Sequence, residues 1–399
     1  MKTLAVNDIR VLVITQYIQT GGLERMIVTL SSALSKKGVK IFIYIYEYTE
    51  TAEEDSLIDK LSKAGIEVIT TTKSEGFSLK LAFEISRLIR QKRINLIHAH
   101  HIGCLIYALI GKIISLSWPK ILISQHSFIH LQSNKKYKLY EKVFSFFSDK
   151  IVAVSQAIKD QYLSLSISEE KIKIIENGVN FSSSMVKSID ERNQRRDLLL
   201  ASLEDESQWK QLDSNKDLFW VLYLARLYPK KGQDIAINLW EKLSLEARNS
   251  ARLIIVGPKT SLSFANHLNG MVEQKGLHNE VLFIPGTLEP EKWIAAADLF
   301  ISCSEYEGMP LGPIEALGSG LPGILSRISG HSELIDSANS FPLSKQEEGA
   351  MLLESAFKAM KTSYSKTRQD SIDKTEKIRK RFSIEKMTNE YLEVYLEML

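Results

Sequence analysis

Glu307 and Glu315 stand with seven residues between them in the stretch Ser304 to Glu315, which also holds Gly308, Met309, Pro310, Leu311, Gly312 and Pro313. A carboxylate in such a loop can accept hydrogen bonds from sugar hydroxyls, and one in a following helix can do the same for a ribose. Solvated Glu305, Glu307 and Glu315 fit the same pattern. Arg226 directly follows an apolar run, and Lys231 comes five residues later, just before Gly232. A guanidinium and an ammonium converging at a strand end suit a diphosphate, the first by bidentate bonds and the second as a point charge. As a lone pair they equally fit loop cations. Gly21 and Gly22 precede a helical pattern with Glu24 in its first turn. Paired glycines there let a phosphate or nucleotide approach the helix N-terminus. An ordinary turn, with Glu24 favoured by the helix dipole, is the plainer reading.

Two further patterns carry less. Gly318 to Gly323 has the spacing G-x-G-x-x-G, but it ends a helix and holds Pro322, whereas a dinucleotide fingerprint follows a strand and opens a helix. His98, His100 and His101 resemble metal ligands, yet no carboxylate lies near them in sequence and they stand at a strand end, which favours a wall or structural role. No Asp-x-Asp occurs anywhere in the sequence.

Apolar runs and amphipathic segments alternate to position these residues. Strands are expected at 10–14, 40–46, 66–69, 95–98, 121–124 and 151–154, with helices at 53–64 and 79–92 between them. A polar stretch at 183–216, part of it (195–203) helical, reads as a connection. A second series follows: strands at 218–225, 252–257, 281–284, 299–302 and 323–326, and helices at 233–246, 261–275, 290–296 and 313–319. The stretch 366–399 reads as helical. Apolar strands alternating with helices imply parallel sheets covered on both faces. The chain has 399 residues, a formal net charge of +3, 44% hydrophobic and 25% charged residues. That composition excludes collagen, disordered tails and disulfide scaffolds. Cys104 and Cys303, about 200 residues apart in apolar surroundings, read as buried thiols of a reducing compartment. The first apolar run is too short for a signal-peptide core, and 102–118 is interrupted by Lys112 and falls short of a membrane span. The expected location is cytoplasmic, with peripheral contact on the inner face of the membrane.

The clusters, in this order, resemble glycosyltransferase family 4. The carriers are the Glu-x7-Glu pair Glu307 and Glu315 with its flanks from Ala297 and to Pro322, the loop at Gly21 and Gly22, the segment Arg226 to Gly232, and Ile175 to Asn180. The resemblance covers nearly the whole chain. It implies an α/β, GT-B fold: two Rossmann-like, doubly wound parallel-sheet domains facing a central cleft, with the C-terminal helix crossing back. The implied domains are 1–182, completed by about 380–399, on the acceptor side, and 183–379, including the linker, for the donor. The implied activity is retaining transfer of a hexose or N-acetylhexosamine from a nucleotide sugar to a saccharide acceptor, lipid-linked, in cell-surface polysaccharide or glycolipid synthesis, with no metal and no cofactor required, since Asp-x-Asp, the divalent-metal motif of the other large glycosyltransferase fold, is missing. Arg226 and Lys231 would hold the donor diphosphate, Glu307 the sugar hydroxyls, and Glu315 the ribose. Gly21 and Gly22 would meet the phosphates, Gly308, Met309, Pro310 and Leu311 would line the donor site, and His126 would line the cleft near the reacting sugar. The residues Gly308, Met309 and Pro310 depart from the family's commoner aromatic-glycine pair, and Gly318 and Ser319 from its alanine and small residue. Either departure bears on sugar preference.

Residues 1–180 hold 24 basic and 17 acidic side chains, a surplus of seven, while 181–399 hold 27 and 31. The surplus is concentrated in 85–150, with 11 basic and 2 acidic, and the rest of 1–180 is slightly acidic. The segment 134–147 mixes lysines with aromatics. It reads as an interfacial helix against anionic headgroups, or as an ordinary helix with Val143, Phe144 and Phe147 in the core. The rival functions are a nucleotide-sugar epimerase or hydrolase of the same fold and a basic nucleic-acid-binding protein. The last would leave Glu307 and Glu315 without a task, so no nucleic acid is expected.

Overall fold

The computed structural model describes residues 5–19, 21–73, 76–127, 135–181, 185–203, 212 and 217–399. The chain divides into two compact units, residues 1–178 with 382–399, and residues 179–381.

In the first unit the elements run β1 (Arg10–Thr15), α1 (Gly22–Lys36), β2 (Lys40–Ile45), α2 (Ala52–Lys63), β3 (Glu67–Thr70), α3 (Leu79–Gln91), β4 (Leu96–Ala99), α4 (Ile102–Ser115), β5 (Lys120–Gln125), α5 (Lys135–Phe146), β6 (Lys150–Ala153), α6 (Gln156–Ser164) and β7 (Ile172–Ile174). The seven strands are all parallel in the order β3-β2-β1-β4-β5-β6-β7. Their continuous apolar runs are what a sheet covered on both faces needs. Helix α3 buries Leu81, Ala82, Ile85 and Ile89 on one stripe. Gly111 lets α4 close on it, since a Cβ there would lie 2.5 Å from Ile85 Cγ2. That packing explains the apolar run at 102–118, and no helix among the described residues is long and apolar enough to cross a membrane.

The second unit holds α7 (Ile189–Leu200), β8 (Phe219–Leu224), α8 (Gln233–Glu241), α9 (Leu245–Ser250), β9 (Ala251–Val256), α10 (Leu262–Gln274), β10 (Val281–Ile284), α11 (Pro290–Ala296), β11 (Leu299–Ser302), α12 (Leu311–Gly318), β12 (Gly323–Ser326), α13 (Ser329–Ser332), β13 (Ser340–Phe341), α14 (Gln346–Ile372) and α15 (Thr375–Arg381). Its six parallel strands run β10-β9-β8-β11-β12-β13. Helix α16 (Ile384–Met398) belongs to the first unit. Both sheets reverse strand direction of addition once, between β1 and β4 and between β8 and β11, and ligands of such sheets bind outside the strand carboxyl ends at that point.

Two expectations need correction. The expected helix 233–246 is two helices, broken before Ser244, whose side chain caps α9. The tail 366–399 is helical as expected, in three pieces. It breaks after Ile372 and again before Ser383, whose hydroxyl accepts from Lys386 N at 3.1 Å to start α16. Within the connection 183–216, residues 183–184, 204–211 and 213–216 lie outside the described residues. The rest carries α7, which packs as part of the second unit. Arg192 NH1 and Arg196 NH2 reach the fully buried Asp298 at 2.8 and 2.6 Å. Arg192 and Arg196 are polar because that face of the helix meets a buried charge, while Asp190, Glu191, Gln194 and Asp197 are exposed.

Candidate active site

Three strand ends of the second unit converge on one carboxylate. Strand β8 ends at Leu224, and the loop after it carries Arg226 and a short turn, Pro229–Lys231. Gly232 closes that turn with φ 68°, and a Cβ on it would lie 2.0 Å from Cys303 O. Only glycine fits there, so the loop sits directly on the end of β11. Gly312 does the same for α12, where a Cβ would lie 2.8 Å from Leu224 O. These close approaches bring Lys231 to Glu307. Its Nζ donates to Glu307 Oε1 at 2.8 Å and to Oε2 at 2.7 Å. Ser304 Oγ donates to Glu307 Oε1 at 2.7 Å. The side chains of Lys231 and Glu307 are 19% and 9% exposed. Burial pushes the Glu307 carboxyl up, but Lys231, the bonds it and Ser304 donate, and the nearby His331 hold it below the ordinary carboxylate value.

Arg226 is exposed, and its backbone carbonyl accepts from Gln233 Nε2 at 2.9 Å. Gly308 and Met309 are half-buried and Pro310 buried in the loop between β11 and α12. Leu311 opens α12, and Glu315 lies half-buried on its second turn. The structure thus joins Lys231 directly to Glu307 and sets Arg226 and Glu315 on the neighbouring strand-end loop and helix. Lys230 and Glu305 form a second, exposed pair at 2.7 Å.

Sequence reasoning missed Ser304, Ser326 and His331. Ser326 Oγ donates to Ser304 O at 2.6 Å, and His331 Nδ1 lies 3.0 Å from Ser326 O. Ser304 borders the recognised motif, but nothing local in the sequence marks Ser326 or His331.

In the first unit, Gly21 caps α1 without a side-chain bond, and Glu24 is buried. A Cβ on Gly21 would lie 2.0 Å from Glu24 Oε2, so the carboxylate folds back over the helix start. His126 follows β5. Its Nε2 lies 3.3 Å from Nδ1 of the buried His100, and its Nδ1 has no partner among the described residues. Burial pushes His98 and His126 down to about 3 and His100 well below the usual histidine value, so all three are neutral. His98 is structural, with Nδ1 2.8 Å from Tyr395 Oη and Nε2 2.7 Å from Ser124 Oγ. His101 accepts from Gly103 N at the start of α4. No group of three or more His, Cys, Asp or Glu among the described residues is placed to hold a metal.

Residues 20–183 match the family model Glycosyltransferase Family 4, and residues 204–377 match Glycosyl transferases group 1. The chain belongs to glycosyltransferase family 4. This glycosyltransferase is 26% identical to an uncharacterized glycosyltransferase of Methanocaldococcus jannaschii over 52% of its own length and 50% of the relative's. It is 28% identical to the lipopolysaccharide core biosynthesis mannosyltransferase LpsB of Rhizobium meliloti, over 34% and 37% of the two chains. The match thus spans about half or less of these two relatives. The crystal structure of Anabaena HepE in complex with UDP and glucose superposes with a TM-score of 0.79 at 19% identity, covering 98% of this glycosyltransferase and 100% of HepE. That likeness gives the fold, GT-B.

Proposed function

We propose that this protein is a retaining glycosyltransferase that moves a hexose or N-acetylhexosamine from a nucleotide sugar to a saccharide acceptor, lipid-linked, in cell-surface polysaccharide or lipopolysaccharide synthesis. The observation that carries the donor side is the bonding capacity left at the Lys231–Glu307 pair. An ammonium has three N–H donors, and two are used by Glu307. A carboxylate has about four lone-pair sites, and Lys231 and Ser304 use three. One cationic donor and one anionic acceptor remain side by side. A sugar joined to a diphosphate offers their complements, a phosphate oxygen next to hydroxyls. Arg226 adds a guanidinium that offsets charge developing on the departing diphosphate. Glu315 takes the ribose, and Gly308, Met309, Pro310 and Leu311 line the donor. UDP with glucose in HepE, and the mannosyltransferase name of LpsB, fit a donor of this class.

The first unit carries the acceptor, with Gly21 and Gly22 near phosphate and His126 near the reacting sugar. The acceptor oxygen attacks the front face of the sugar as the bond to the diphosphate breaks, and the leaving diphosphate takes the acceptor proton. The reaction needs no metal. A turnover screen across nucleotide sugars, with and without EDTA, tests the donor and the metal, and an anomeric assay tests retention. Loss of the rate in EDTA, or an inverted product, refutes the corresponding part.

A membrane-bound acceptor is supported by helix α5. It faces inward with Glu141 and Ser145, while Tyr137, Leu139, Tyr140, Val143 and Phe146, and Phe147 just beyond its end, are exposed. The core placement considered for Val143 and Phe147 is therefore wrong. Glu141 is satisfied inside by Gln125 Nε2 at 3.1 Å and Tyr162 Oη at 2.9 Å. Asn134 of the segment 134–147 lies outside the described residues. An outward aromatic face with Lys136, Lys138 and Lys142 suits peripheral contact with an anionic leaflet, on the cytoplasmic side.

A further inference from the structure

We propose that His331 is a positioning residue that, through Ser326 and Ser304, fixes the Glu307 carboxylate for the transferred sugar. The proposal rests on the reading of Glu307 as a sugar-binding group. His331 lies on α13 and is fully buried, as are Ser326 and Ser304. Its Nδ1 stands 3.0 Å from Ser326 O and 3.1 Å from Ser326 Oγ. A carbonyl oxygen only accepts, so Nδ1 carries the proton. Ser326 Oγ then sends its own proton to Ser304 O at 2.6 Å. That bond pins the backbone of Ser304, whose Oγ donates to Glu307 Oε1 at 2.7 Å. The chain of α13 also leans on the same loop, since a Cβ on Gly330 would lie 3.0 Å from both Glu307 Cβ and Glu307 O. Lys231 holds the carboxylate from the other side. Burial keeps the imidazole neutral against the pull of Glu307.

The ring's second nitrogen takes no part. His331 Nε2 is buried without a partner among the described residues. Asparagine places its amide nitrogen where Nδ1 stands, whereas glutamine places it nearer Nε2. The two substitutions therefore separate a positioning bond from simple filling of space.

The test is steady-state kinetics from about pH 3 to 8, a range that spans carboxylate and histidine values, with the nucleotide sugar that the wild type turns over. His331→Ala and His331→Gln should lower kcat/KM about tenfold, the worth of one hydrogen bond to a charged group. They should also move the acid limb of kcat/KM up by about half to one pH unit, because Glu307 loses support for its charged form. Inhibition by the nucleoside diphosphate product should stay within about twofold of wild type, since only sugar contacts are disturbed. His331→Asn should keep the wild-type limb and rate. Ser304→Ala should move the limb the same way, and the Ser304/His331 double alanine variant should be no worse than Ser304→Ala. An unmoved limb in both His331→Gln and Ser304→Ala overturns the proposal, as does an equal loss in His331→Asn and His331→Gln. Should His331→Ala not fold, the asparagine and glutamine pair decides. Glu307→Gln separates the two levels. Wild-type turnover in it sinks the reading of Glu307 itself, while lost turnover with an unmoved His331→Gln limb sinks the positioning role alone.

Discussion

Replacing Lys231 by alanine should turn a stabilising charge on Glu307 into a destabilising one. In the wild type the carboxylate is 9% exposed and bonded by Lys231 Nζ and Ser304 Oγ. Removing one partner of a buried pair costs about 3–5 kcal/mol. Lys231 is itself 19% exposed, so water recovers part of this, and a loss of about 2–4 kcal/mol is expected. For a unit of the length of residues 179–381, that corresponds to a melting temperature lower by about 5–15 °C.

The pH dependence carries the sharper signature. In the wild type Glu307 is held below the ordinary value of 4.5. Its contribution is therefore present above pH 4.5 and lost as pH falls through the folded value. Without Lys231, burial is opposed only by Ser304 and His331, and the carboxyl rises above 4.5. The folded variant then takes up a proton that its unfolded chain does not, so it gains stability as pH falls. The gap between wild type and Lys231→Ala should be widest near neutrality and narrow toward about pH 5. Melting curves of both proteins at the two pH values measure it. Histidines of the first unit titrate in the same window, but equally in both proteins, and cancel in the difference. The double variant Lys231→Met, Glu307→Met should recover most of the stability while remaining inactive. A gap that stays constant or widens on acidification would refute the coupling.

Arg226→Ala should lower kcat/KM by about 100-fold or more by removing charge stabilisation from the departing diphosphate, with its exposed position keeping the melting temperature near wild type; wild-type turnover would refute the phosphate role. Gly232→Ala should destabilise the second unit by more than about 3 kcal/mol, because φ 68° and a Cβ 2.0 Å from Cys303 O must both be relieved; denaturant titration reads this. Tyr395→Phe removes the partner of buried His98 Nδ1 and should cost about 1–3 kcal/mol. The depressed histidines make stability present above about pH 6.5 and lost as pH falls below it, so acid unfolding should set in within that range. Replacing Phe146 and Phe147 by serine should weaken sedimentation with phosphatidylserine vesicles without changing the melting temperature, and unchanged binding would count against the membrane face.

The sheets were legible because parallel strands buried on both faces read as unbroken apolar runs, as in Arg10–Thr15 and Leu299–Ser302. The charged candidates were legible because Arg226, Lys231, Glu307 and Glu315 each sit within a few residues of such a run. Their pairing was not. Lys231 and Glu307 are 76 residues apart, and only the adjacency of β8 and β11 brings them together. His331 was hidden although its direct partner Ser326 is five residues away, because the onward bond from Ser326 to Ser304 is made only where β12 lies beside β11.

Helix α5 shows a different limit. Periodicity tells which side chains share a face, not which face turns inward. The apolar side chains of 135–146 argue for a core stripe by area alone, since each buried aromatic contributes more than any polar residue beside it. Glu141 reverses that choice. Gln125 and Tyr162 lie beneath the helix with donors that the Glu141 carboxylate accepts, and leaving them bare would cost about 1–3 kcal/mol each. The inward face is thus set by two residues from β5 and α6, and the aromatics are left outside.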